Sequence, residues 1–168
     1  MNVLQFVARK LQKDVEKCKF LQCNAKTCIF YRVVRYDIKG KQYLKTGDKY
    51  YGADMDLRDC VLGNKKTDDG HILENIVYLE LLRRGYEVYI GKVGNAEVDF
   101  IAIGDEGEEY YQAAYTVIDA DGSTLKRELG PLDAIKDHNP KYLLTMDVGP
   151  VVSHNGIRQM NALDWLLR

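Results

Sequence analysis

The sequence has little of what marks secreted, membrane or nucleotide-hydrolysing proteins. No apolar run approaches the roughly 18 residues of a membrane span, and the N-terminus MNVLQFVARK lacks a long apolar stretch followed by a small-residue cleavage site. A cytoplasmic protein without a membrane partner is expected. Only four cysteines occur in 168 residues of which 46% are hydrophobic, so a core can form without a disulfide framework and the cysteines read as reduced thiols. Cys18, Cys23 and Cys28 follow C-x4-C-x4-C with no histidine nearby, which is not a usual zinc spacing. No G-x-x-x-x-G-K-[ST] run is present, which excludes a phosphate-binding P-loop and with it ATPase activity in this chain.

What is present is unevenly distributed. Residues 1–66 carry fifteen Lys and Arg against seven Asp and Glu, a net +8, whereas residues 67–168 carry nine against eighteen, a net −9. Within the basic part, YRVVRYDIKGKQYLKTGDKYY interleaves cations with tyrosines. Arg32, Arg35, Lys39, Lys41 and Lys45 could track a phosphate backbone while the rings pack on sugars or bases. The other reading is that this ribbon docks on the acidic remainder of the chain or on a partner.

The hydrophobic pattern predicts an ordered series of elements. Leu4, Val7, Leu11, Val15 and Cys18 fall at helical spacing, giving a helix over about residues 2–19. CIFYRVVRYDI reads as a strand, Gly40 turns it into QYLKT as a wing-like hairpin, and KYYGAD is a further extended piece. The polar run GNKKTDDG marks a boundary between an appendage, residues 1–66, and a second domain, 67–168. There GHILENIVYLELLRRG predicts a largely buried helix stopped at Gly85. YEVYIGK, EVDFIAI and EYYQAAYTVI read as three antiparallel strands, KRELGPLDAIKDHN as a helix interrupted at Pro131, and KYLLTMD as a buried strand. After a loop containing His154-Asn155-Gly156, NALDWLLR reads as a closing helix capped by Asn161.

From residue 70 the order is αβββαβ, an α/β (α+β) arrangement that resembles the PD-(D/E)xK restriction-endonuclease-like fold. The resemblance implies a metal-binding Asp on the second strand, Glu-x-Lys on the third and often a Glu on the first helix. Here Asp99 and Glu74 stand at the first and last of these, and Gln112-Ala113-Ala114 replaces Glu-x-Lys. Glu74 lies among Val77, Tyr78 and Leu81 on the helical wheel, and Asp99 opens an apolar strand, so both carboxylates need compensation away from water. Mg2+ held by Glu74, Asp99 and a third-strand oxygen is one compensation. A helix-end cap or an arginine partner for Glu74, and hydrogen bonds in the VGNAEVD turn for Asp99, are the alternatives. Lys92, opposite Glu97 across the VGNA turn and diagonal to Asp99, is the candidate for a migrated lysine.

Residues 28–168 resemble a C-terminal domain of unknown function found in prokaryotic AAA+ ATPases, where it follows the ATPase and a winged helix. The matching runs are YRVVRYDIKGKQYLKTGDKYYGADMDLRD, GHILENIVYLELLRRGYEVYIGK, EVDFIAI and PLDAIKDHNPKYLLTMD. Residues 1–27 depart from the winged helix, and the chain then reads as a detached C-terminal domain, a natural fragment or a truncated product. The resemblance implies association with an ATPase module. Three functions follow: a catalytically degenerate nuclease-fold module that binds DNA or a partner, an active Mg2+-dependent DNA endonuclease, and a protein-interaction domain without nucleic acid. Ala114 and Gln112 favour the first, because the lysine that helps deprotonate the attacking water is missing.

Overall fold

The segment DGHILENIVYLELLR becomes helix α1 (Asp69–Arg83), with Asp69 in its first turn and Arg83 in its last, each favourable to the helix dipole. Gly85 at φ 89° ends it. Its N–H reaches the Leu82 carbonyl while that of Tyr86 reaches Leu81, the paired bonds of a Schellman stop. Residues Leu73 to Leu81 are all buried. A helix buried on every side must lie between two layers. On one side is the main sheet and on the other a two-stranded hairpin, whose Tyr31, Val33 and Tyr51 join Val77, Tyr78 and Phe100 in one core.

The computed structural model describes residues 30–45, 47–54 and 69–168. The first part holds β1 (Phe30–Val33), β2 (Arg35–Asp37), β3 (Gln42–Tyr43) and β4 (Lys49–Gly52). After α1 come β5 (Glu87–Val93), β6 (Ala96–Gly104), β7 (Gly107–Ala114), α2 (Ser123–Asp133), β8 (Lys141–Thr145), β9 (Val152–His154), β10 (Ile157–Asn161) and α3 (Ala162–Leu166). The architecture is mixed α/β: an eight-stranded sheet in the order β3-β2-β5-β6-β7-β8-β10-β9, with β1 and β4 forming the separate hairpin. The β2–β5, β7–β8 and β8–β10 pairs are parallel and the other four antiparallel. Packing puts α1 and α3 against one face, through Leu79, Tyr111 and Trp165, and α2 against the other, through Leu132, Ile101 and Leu143.

The expected helix over 2–19, the cysteine trio and the boundary near residue 66 lie outside the described residues. Across that boundary β2 pairs with β5, so the basic segment contributes two strands to the main sheet. Three expectations need correction. The run CIFYRVVRYDI is not one strand: it breaks at Val34, and β1 and β2 join different sheets. Helix α2 begins at Ser123 rather than Lys126, with Asp119 accepting from the Thr124 N–H at 2.7 Å, and it runs through Pro131 in its last turn. The region after residue 147 is not a plain loop, because Asn155 at φ 50° and Gly156 at φ 89° close a β9–β10 hairpin. The edge strand β9 and the residues before it leave Val148, Val151 and Val152 exposed. Asn161 caps α3 as expected, accepting from the Leu163 N–H at 2.8 Å. No helix among the described residues is long and apolar enough to cross a membrane.

One ion cluster ties α1 to α3. Glu80, fully buried, accepts from Arg83 at 2.7 Å and from Arg84 at 2.5 Å. Arg84 donates to the Trp165 carbonyl at 2.7 Å and lies 4.2 Å above the indole. Glu80→Gln is expected to cost about 2–4 kcal/mol, since it removes the fully buried charge on which both guanidinium groups converge. Because Trp165 is the single tryptophan, denaturant unfolding followed by its fluorescence checks both the stability and the loosened indole.

Candidate functional site

Asp99 owes its position to an irregularity in strand pairing. Tyr89 pairs with Ile101 and Gly91 with Val98, so β6 spends one more residue than β5 over the same distance, a β-bulge at Asp99-Phe100. The bulge turns Val98 and Ile101 to the same side of the sheet, into the α2 core. Gly91 lies beneath them, where a Cβ would fall 3.0 Å from Val98 Cβ and 3.1 Å from Ile101 Cγ1. On the other side of β6 the ladder to β7 extends only as far as Phe100 and Tyr111. Beyond that pair the two strands part, and Gln112 to Ala114 keep only the ladder to β8 on the other edge of β7, which begins at Tyr110. Side chains fill the missing ladder bonds: Asp99 Oδ2 accepts from the Ala113 N–H at 2.9 Å, and Gln112 Oε1 accepts from the Asp99 N–H at 3.3 Å.

The parting of β6 and β7 opens a cleft of about 410 Å³ lined by Glu74 of α1, Asp99, Gln112, and Arg127 and Glu128 of α2. The three residues singled out from sequence therefore meet, although strand alternation puts Gln112 with Tyr110 and Ala114 on the α2 side and Glu74 comes from the opposite layer. Gln112 is held at both ends of its amide, its Nε2 donating to Glu128 at 3.0 Å. Ala114 brings only a methyl group, 8% exposed.

An amine is nevertheless present, supplied by β4. Lys49 Nζ lies 3.0 Å from Glu74, 2.8 Å from Glu97 and 4.0 Å from Asp99. Tyr51, two residues on and therefore on the same strand face, donates to the same Glu74 oxygen at 2.5 Å. Asn75, next to Glu74 on α1, then grips Gly52 through both its backbone groups, at 2.8 and 2.9 Å. The hairpin is thus fastened to α1 through charge, hydroxyl and amide in succession. Burial works against the Lys49 ammonium, but Glu74, Glu97 and Asp99 outweigh it and raise its pKa above the ordinary lysine value. Burial pushes the Tyr51 phenol up, and Glu74 pushes it further. The Asp99 carboxyl is pushed up to about 8 by burial first and by Glu74 second, against the Ala113 N–H and Lys49, which favour its charged form. The cleft therefore favours the charged form of Lys49 and the protonated form of Asp99.

Lys92 is not the migrated lysine. It does pair with Glu97 across the turn, but its ammonium leaves the cleft to donate to the Asn95 carbonyl at 3.2 Å. The basic ribbon is also partly consumed within the fold: Arg32 pairs with Asp48 at 2.5 Å and Arg35 with Glu97 at 2.8 Å. Lys39, Lys41 and Lys45 stay exposed with no ion-pair partner among the described residues. Glu74 finds a lysine rather than the arginine considered as its partner. Glu74 and Asp99 do not offer a donor set that fits Mg2+. Lys49 already occupies Glu74 Oε1, the Gln112 amide is engaged at both ends, and no group of three His, Cys, Asp or Glu among the described residues could hold a metal ion. Sequence reasoning left Lys49 and Tyr51 in the basic ribbon and Glu97 opposite Lys92, outside the cleft, and it did not single out Glu128. The period-two spacing of Lys49 and Tyr51 was the only signal, and it identifies a shared face without saying what that face meets.

No protein-family model matches the chain. No solved structure matches it either. It is similar to an uncharacterized protein of Haemophilus influenzae, with 38% identity over 150 residues that cover 89% of this chain and 36% of that protein. The chain spans about a third of that relative's length.

Proposed function

We propose that the chain is a catalytically degenerate PD-(D/E)xK-like module associated with prokaryotic AAA+ ATPases, and that its role is to bind nucleic acid rather than to cut it. The observation that carries this reading is the Lys49 ammonium, which neutralises Glu74 and Glu97 and stands beside Asp99, where an active site of this kind would need those carboxylates for a metal ion. The order α1-β5-β6-β7-α2-β8 and the meeting of Glu74, Asp99 and Gln112 in one cleft support the nuclease-like ancestry of the fold. Exposed lysines beside tyrosines in the basic segment support nucleic acid as the ligand.

The test is incubation of the purified chain with supercoiled and branched DNA in Mg2+ and in Mn2+. The expected result is no cleavage above that of Asp99→Ala. Cleavage abolished by both Asp99→Ala and Lys49→Ala would instead establish an active metal-dependent endonuclease with its lysine supplied by β4. Absence of salt-sensitive binding to any nucleic acid would favour a protein-interaction domain.

A further inference from the structure

We infer that the β2–β3 hairpin is a platform for single-stranded nucleic acid, on which Tyr43 stacks with a base while Lys39, Lys41 and Lys45 take the phosphates. The inference deepens the nucleic-acid reading above and rests on it. The ribbon of alternating cations and tyrosines does not act as a whole, because folding assigns Arg32, Arg35 and Lys49 to Asp48, Glu97 and Glu74. The three cations left exposed flank Tyr43 in the sequence, on the hairpin turn before it and just after β3. Tyr43 is 59% exposed on the edge strand of the sheet.

Its neighbours hold that ring in place. Tyr36 meets it edge-on with centroids 5.4 Å apart, Tyr89 lies at 5.3 Å, and the Tyr43 and Tyr89 hydroxyls are 3.3 Å apart. A ring fixed in this way loses little freedom when a base stacks on it. Charge sets the direction of the strand. Glu87 accepts from the Tyr89 hydroxyl at 3.1 Å, and burial first and Glu108 second raise the pKa of the Tyr36 phenol, while at the turn the single Asp37, which accepts from the Lys39 N–H at 3.1 Å, is outnumbered by the three lysines. Phosphates are repelled there and drawn to the lysine side, which leaves the bases over Tyr43. A duplex keeps its base faces stacked inside and has nothing to offer the ring, so the surface selects single strands. The shared chemistry, a stacked base with flanking phosphates, is common to DNA and RNA.

The experiment is fluorescence anisotropy of the whole chain with labelled oligothymidylate, oligouridylate and a duplex of equal length over a series of salt concentrations. Either single strand is expected to bind more tightly than the duplex. Tyr43→Ala should weaken single-strand binding by about 5- to 100-fold, while Tyr43→Phe, which keeps the ring and loses the hydroxyl, should bind like the parent. Replacing Lys39, Lys41 and Lys45 together with Gln should flatten the slope of log K against log salt by about 2. Equal binding of duplex and single strands, with no effect of Tyr43→Ala, would overturn the platform and leave nucleic-acid binding to another surface. No binding of any nucleic acid at low salt would overturn both readings. The cleavage assay bears only on the degenerate cleft and leaves these outcomes distinct.

Discussion

Asp99→Asn is expected to stabilise the protein, and by more at pH 8 than at pH 5. In the folded chain the Asp99 carboxyl is held up at about 8, well above its ordinary value. The stability contributed by its neutral form is therefore fully present below the ordinary carboxylate range and is lost as pH rises through about 8. Asparagine has no charge to acquire, and its amide oxygen can still accept the Ala113 N–H that Asp99 Oδ2 accepts at 2.9 Å. Each unit of displaced pKa corresponds to about 1.4 kcal/mol, and the rise to about 8 already contains the opposing pull of the Lys49 ammonium. A gain of about 2–4 kcal/mol at pH 8 and a much smaller one at pH 5 is the expected order. Urea unfolding of both proteins at the two pH values measures it. Parallel pH dependence in parent and variant would mean that Asp99 is not the group being titrated.

The opposite sign is expected at Lys49. Lys49→Met leaves Glu74 and Glu97 facing each other without the ammonium that now lies 3.0 and 2.8 Å from them. Breaking a partly buried pair from one side costs about 3 kcal/mol, and here the hairpin's charged tie to α1 is lost as well. Thermal unfolding should show a large fall in Tm. Carboxylates released from their lysine present oxygen donors to a hard cation, so millimolar Mn2+ should restore part of the lost stability in the variant and little in the parent. Lys49→Arg does not answer the same question, because a planar fork cannot replace a compact ammonium among three carboxylates. If Mn2+ raises Tm equally in parent and variant, Lys49 does not stand in place of a cation.

Much of the fold is legible where local pattern and final environment agree. The α1 sequence is apolar nearly all round, and the helix is buried. EVDFIAI and YEVYIGK flank a Gly-Asn turn and become β6 and β5. Asp99 could be singled out because a carboxylate in an apolar strand needs a partner. The bulge that aims it could not, since a bulge is a property of two strands in register and neither sequence carries it alone. Lys49 was hidden for a similar reason: it lies 25 positions before Glu74, among lysines of the same composition, and only packing of the hairpin on α1 distinguishes it from Lys39 or Lys45. The β9–β10 hairpin had its signal in Asn155-Gly156. The flanking strands are too short to announce themselves, and β10 takes its place by parallel pairing with β8.

Among the described residues the two edges of the sheet present unequal flanks to a second copy of the molecule. At one end β3 is two residues long, Lys41 holds a left-handed φ of 47°, and lysines stand on both sides. Such an edge is a poor template for another strand, because its ladder is short and bent and its charges repel their own image. At the other end β9 has three residues and no formal charge on Val152 or Ser153, and it follows the exposed Val151 and Val148. An unpaired edge next to apolar side chains is where strand-to-strand aggregation starts. Self-association under crowding or partial unfolding would thus grow from the β9 side, and a lysine at Val152 would be the substitution that blocks it at the least disturbance to the fold.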